Sequence, residues 1–200
     1  MIRASMLALT TVLLFGSATS ANAIFYTFAA TLDQNEGVPT GSPGTGTAQV
    51  YWDDIAHTMR VVVAFQGLLG TTTASHIHAP TPTPLTGTAG VATTTPTFAG
   101  FPLGVTSGTF DTTLNMTLTS SYNPAFVTAQ GSLAAAEANL LSFMLQGRSY
   151  LNIHTSVFGG GEIRGFLVQV PEPGTLSILG LGLGLIGISR RRSAKRTLTR

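Results

Sequence analysis

"GTAQVYWDDIAHTMRVVVAFQGL", residues 46 to 68, is the stretch on which the fold turns. Its two halves, 46–53 and 57–68, are rich in aromatic and β-branched residues, the types that fit a pleated, half-buried surface. Asp54-Ile55-Ala56 between them is a connection of hairpin length. Working outward from this hairpin, similar runs predict strands at 25–32, 73–79, 108–118, 149–155 and 162–169. Seven short strands without strand–helix alternation predict an all-β domain, an immunoglobulin-like or Greek-key antiparallel β-sandwich.

Two stretches do not read as strand. "APTPTPLTGTAGVATTTPTFAGFP", residues 79 to 102, carries five prolines and eight threonines. Proline has no amide donor for a sheet ladder, so a long, partly ordered loop is predicted, with a short strand around Val91. Residues 132–145 predict the single short helix. Ser132 is its N-cap, Leu133, Leu140, Leu141 and Met144 form its apolar stripe, and Gly147 is its stop.

The ends have a different character. Residues 1–23 combine Arg3, an apolar run from Met6 to Phe15 and a closing Ala21-Asn22-Ala23, the pattern of a secretory signal peptide with an A-x-A cleavage site. Residues 174–189 form a second apolar run, short for the roughly 20 residues that span a bilayer. A short transmembrane helix is predicted there, with Arg190, Arg191, Arg192 and the basic tail 194–200 held on the cytoplasmic side.

Removing the ends reverses the charge. The chain of 200 residues carries +2, but residues 24–169 hold three basic residues against seven acidic ones, a net of −4. The high isoelectric point is therefore no nucleic-acid footprint, and nucleic acid is excluded as a partner. Cysteine is absent. That removes disulfides, thiol nucleophiles and cysteine-based zinc sites, and leaves stability to a packed core.

"FAATLDQNEGVPTGSPGTGTAQVYWD", "GLLGTTTASHIHAP" and "YLNIHTSVFGGGEIRGFL" resemble successive motifs of the CHRD domain, the chordin-type module, over about residues 25–169. The resemblance implies an all-β, immunoglobulin-like domain in an exported bacterial protein. "VPEPGTLSILGLGLGLIGISRRR" resembles the PEP-CTERM sorting signal, with Pro171, Glu172 and Pro173 ahead of the apolar run and Arg190, Arg191 and Arg192 after it. That implies a Gram-negative source, processing by an exosortase-type membrane enzyme and transient residence in the inner membrane. The ectodomain is then delivered to the periplasm, cell envelope or extracellular matrix. The chain thus divides into a signal peptide (1–23), a CHRD-like β-domain (24–169), a sorting signal (170–193) and a basic tail (194–200).

Within the domain, two histidine patterns bear on chemistry. Alternate residues on a strand share a face, so His76 and His78 of "SHIHAP" point together, and His154 of "YLNIHT" shares its face with Tyr150 and Asn152. Were the two strands adjacent, three imidazoles would converge, enough for a Cu(II) or Zn(II) site with an open position. The other reading makes Ile77 and Ile153 the core residues and leaves the histidines bonded to loop backbone or to Glu162. Geometry separates the two, because ring nitrogens within about 4 Å of one another suit Zn–N bonds near 2 Å. His57, the fourth histidine, sits at the hairpin turn.

Glu162 and Arg164 share a strand face and read as structural, as an ion pair or through bonds to a neighbouring loop, because a carboxylate beside a guanidinium is held charged and non-basic. Asp53 and Asp54 read as turn formers, since strand neighbours face opposite ways. No acid–base pair is evident, so no catalytic residue is assigned. The sequence therefore predicts a non-catalytic binding or structural module of the envelope or matrix, without cofactor. Its low charge and many threonines suit an exopolysaccharide-rich matrix. The alternative is a mononuclear copper or zinc metalloprotein, redox-active in the copper case, using His76, His78 and His154.

Overall fold

The computed structural model describes residues 25–34 and 39–171. The predicted signal peptide and transmembrane segment lie outside them, as do Glu172 and the Arg190–Arg192 cluster. Among the described residues, no helix is long and apolar enough to cross a membrane.

The hairpin is present, as β2 (Thr45–Asp53) and β3 (Thr58–Gln66), in antiparallel register with Val50 opposite Val61. Both strands alternate, with Ala48, Val50 and Trp52 of β2 and Met59, Val61, Val63 and Phe65 of β3 all buried. Asp53 closes the turn, its Oδ1 accepting from the amides of Ile55 and Ala56 at 3.0 and 2.8 Å. His57 occupies the left-handed region at φ 53°, which the tight reversal demands.

β1 (Phe25–Leu32) pairs with β2, while β5 (Gly108–Asn115) pairs with β3. A three-residue strand, β8 (Val168–Val170), lies along the other edge of β1, with Thr27 opposite Val170. The first sheet therefore runs β5-β3-β2-β1-β8. The second is β4 (Thr72–His78), β6 (Tyr150–Thr155) and β7 (Ile163–Phe166), in the order β4-β6-β7. Reciprocal backbone bonds between Asp33 and Arg164 stitch the end of β1 to β7. The two sheets enclose one core, in which Phe28, Trp52, Ile77, Leu151 and Ile153 are at most 1% exposed. Each aliphatic side chain so buried contributes about 1.5–3 kcal/mol.

The structure differs from the sequence reading in three places. The strand predicted at 162–169 is two strands. Leu167 is fully buried, its amide bonds to Ser149 O, and the chain changes sheet there. The helical region holds two helices rather than one. α1 (Pro124–Gln130) precedes α2 (Leu133–Leu145) and carries its own signals: Asn123 caps Ala125, Pro124 takes the first turn, and Gly131 ends it at φ 87°. Ser132 caps α2 through Ala135 N, and Leu140 and Met144 are buried as the stripe predicts.

The third difference is the threonine–proline segment. It is laced along the edge of β4. Ala79 N bonds to Gly90 O, Ala92 N to Ile77 O and Phe98 N to Ser75 O. Where backbone acceptors run out, threonine hydroxyls replace them: Thr93 Oγ1 accepts from Ile77 N and Thr97 Oγ1 from Ser75 N, each at 2.9 Å. Around Val91 there is a single bridge, to His78, rather than a strand. Side chains thus satisfy an edge that a proline-rich partner cannot ladder.

Candidate metal centre

β4 and β6 are direct neighbours, with His76 opposite Asn152, His78 opposite Tyr150 and Ala74 opposite His154. The pleat sends Ile77 and Ile153 to the core and His76, His78 and His154 to the other face, where the three rings cluster. One ring nitrogen from each histidine lies within 4.8 Å of those of the other two. Three nitrogens on one ion, each at about 2.1 Å, stand roughly 3.4–4 Å apart. Closing onto a metal therefore requires a contraction of about one ångström, within reach of small side-chain rotations. The ring centroids are 5.1 Å apart for His76–His154, 5.6 Å for His78–His154 and 5.8 Å for His76–His78.

Each imidazole is pinned by one nitrogen to a backbone carbonyl from a different place in the chain. His76 Nε2 donates to Pro96 O at 2.5 Å, His78 Nδ1 to Ala89 O at 2.9 Å and His154 Nδ1 to Gly159 O at 2.9 Å. A carbonyl accepts only, so each pinned nitrogen carries the proton and the other keeps its lone pair. Those other nitrogens are His76 Nδ1 and His78 Nε2, both buried without a partner, and His154 Nε2, 3.4 Å from Asn152 Nδ2. Carbonyl anchoring of the far nitrogen is how proteins fix the tautomer of a metal-ligating histidine.

Protonation follows the same logic. Burial pushes the His78 imidazolium down to about 4; the Ala89 carbonyl opposes this, while His154, His76 and Arg164 add to it. Burial likewise lowers His76 against the Pro96 carbonyl, with His154 pushing the same way. It lowers His154 against the Gly159 carbonyl. All three rings are neutral near pH 7, the form that binds metal. The set is three imidazoles without carboxylate or thiolate, which suits copper or zinc and not magnesium or calcium.

Around the rings, Tyr150 stacks on His78 at 4.8 Å, and the Arg164 guanidinium carbon lies 4.6 Å from the Tyr150 centroid. Asn152, 2% exposed, donates from Nδ2 to Gly160 O and leaves Oδ1 without a partner. A side chain at Gly161, which sits at φ 116°, would collide with the Asn152 amide. A cavity of about 610 Å³ opens on this face, lined by His78, His154, Tyr150, Asn152 and Arg164 among others.

Glu162 and Arg164 both bond to neighbouring loops, one of the two roles the sequence allows them. Glu162 is 1% exposed, and its carboxylate accepts from Ser42 Oγ, Leu69 N, Gly70 N and Thr155 Oγ1. Burial alone would raise its pKa, but these four donors outweigh it and hold the group below the usual carboxylate range. Glu162 thereby fastens three separate segments. Arg164 reaches the other way, donating to Gly87 O at 3.2 Å. His57 stands apart from the cluster, half exposed, with Nδ1 2.8 Å from Glu137 Oε1.

The sequence already places Tyr150 and Asn152 on the face of His154. It carries no sign of the three anchoring carbonyls, because any residue can supply one. No curated protein and no solved structure matches the chain. The PEP-CTERM protein-sorting motif matches residues 169–193, which implies processing by an exosortase-type system and sorting to the cell envelope or extracellular space. The CHRD domain model matches residues 28–167, a span that contains the three-stranded sheet, most of the five-stranded one, both helices and all three clustered histidines, and the chain belongs to the CHRD domain family.

Proposed function

We propose that this protein is an exported, non-catalytic module of the envelope or extracellular matrix that binds one copper or zinc ion through His76, His78 and His154. The observation that carries this reading is the anchoring: carbonyls from two segments, Ala89 and Pro96 of the laced loop and Gly159 of the turn after β6, each hold one nitrogen of three clustered rings and leave the other its lone pair. Histidines serving only to fill space need neither a common focus nor two buried, unpartnered nitrogens. An orphaned buried polar atom is costly, and a metal ion would satisfy these at once.

The binding role comes without an assigned reaction. Glu162, the nearest buried carboxylate in sequence, has both oxygens engaged by donors and is unsuited to proton transfer. The outer face of the five-stranded sheet suits a polysaccharide-rich surrounding. It presents Thr47, Thr109, Gln49 and Tyr51, with Arg60 and Asp111 paired to each other.

The test is titration of the purified, untagged full chain with Zn(II) and Cu(II) by calorimetry. One equivalent is expected to bind at micromolar concentration or tighter, and the triple variant His76→Gln, His78→Gln, His154→Gln to bind at least about 100-fold more weakly. Wild-type protein that takes up no metal at micromolar concentration ends this reading.

A further inference from the structure

We propose that the metal held by the three histidines keeps one coordination position open to the adjoining cavity, and that this position takes a small carboxylate-type monoanion whose charge is met by Arg164. The inference rests on the metal reading above and extends it to the ligand of the same site.

The first argument is coordination. Three neutral imidazoles leave a four-coordinate ion one ligand short, and among the described residues neither Asp33, Glu162 nor any other carboxylate belongs to the cluster. The second is direction. His78 and His154 line the cavity and His76 does not, so His76 lies behind the ion position and the other two flank its open side. The third is charge. Arg164 belongs to the same wall, one ring away from His78: its guanidinium lies over Tyr150, and Tyr150 stacks on His78. Asp33 and Glu162 also line the cavity. Counting both, a divalent ion together with Arg164 still leaves the described residues of the site one charge positive. An incoming monoanion neutralises it, and planar carboxylate geometry matches a guanidinium.

Asn152 gives the anion a further reason to enter. Its Nδ2 stands 3.4 Å from His154 Nε2, and its side chain is almost fully buried beside the ligand nitrogens. When a metal takes the His154 lone pair, that weak contact is released, and Asn152 Nδ2, one hydrogen still on Gly160 O, has its other free for an oxygen on the ion. The cavity, about 610 Å³, is ample for a small acid and well within the range of ligand sites.

Azide serves as the probe, because it binds open Cu(II) positions and reports by a charge-transfer band. Full-length protein is loaded with one equivalent of Cu(II) and titrated with sodium azide, then with sodium acetate, followed by absorption and electron paramagnetic resonance. A saturable new band, displaced by acetate, is expected. Arg164→Gln should weaken azide binding by about tenfold at unchanged copper affinity, and Arg164→Lys, which keeps the charge, should retain most of it. A copper spectrum that azide does not alter overturns the proposal, as does equal azide affinity in Arg164→Gln. Failure to obtain any copper spectrum would instead sink the metal reading itself, so the two failures are distinguishable.

Discussion

On the five-stranded sheet, the residues that alternate with the core, such as Thr47, Gln49, Arg60 and Asp111, face solvent. On the three-stranded sheet, the equivalent positions hold His76, His78, Tyr150 and Asn152, and all four are buried. The first sheet follows the usual antiparallel economy of one core face and one wet face. The second is covered twice, by the core on one side and by the segments around Ala89, Pro96 and Gly159 on the other. Polar groups on a wet face need no partners from the protein. Those on a doubly covered face do, and every imperfectly satisfied atom there points to something the fold leaves room for.

Breaking the doubly covered side should have the largest effect. Glu162→Gln keeps the size of the side chain but turns an amide NH2 toward four donors that now have one acceptor fewer. We expect a loss of about 3–5 kcal/mol in chemical denaturation, and a change within experimental error would show that Glu162 is not the fastening described here.

Acid should break the same side by a smaller amount. The unfolded chain protonates His78 near 6.5, whereas the folded chain resists until about 4. Between those values the unfolded state binds more protons, so stability is full above about pH 6.5 and falls as the pH drops toward 4. The expected loss in metal-free protein is on the order of 3 kcal/mol, read from denaturation at pH 7.5, 5.5 and 4. His78→Gln should reduce this dependence and leave the part that the lowered His76 and His154 contribute. Glu162, held below its ordinary range, contributes its own loss mostly below that window.

The wet face supplies the contrast. Arg60 and Asp111 form a two-pronged pair with Nε–Oδ1 at 2.8 Å, yet both are about half exposed. Solvent screens such pairs, and Arg60→Ala should leave the denaturation midpoint unchanged within error. A clear loss would show that the outer face of the large sheet matters more than its exposure indicates.

How far the sequence carries these points depends on where the information resides. The strands of both sheets are legible because each repeats a local pattern, and the convergence of His76, His78 and His154 is legible from side-chain parity once β4 and β6 are taken as neighbours. The sheet change at Leu167 is not, because a buried leucine reads as continuous strand. Helix α1 carried an Asn-Pro start and a glycine stop, but at seven residues it offered too little periodicity to register. The laced segment 79–102 is the instructive case. Its prolines correctly exclude a strand, while its threonines take over the acceptor work that a strand would have done, a substitution visible only when the partner edge is known.

Thr27, at the start of the first strand, stands opposite Val170, at the end of the last. The chain therefore enters and leaves at one corner, on the rim of the larger sheet, and the sorting motif begins at residue 169, inside that final strand. A body whose two ends meet is portable: it can be spliced between a leader and a tail, or set within a longer chain, without rerouting any strand.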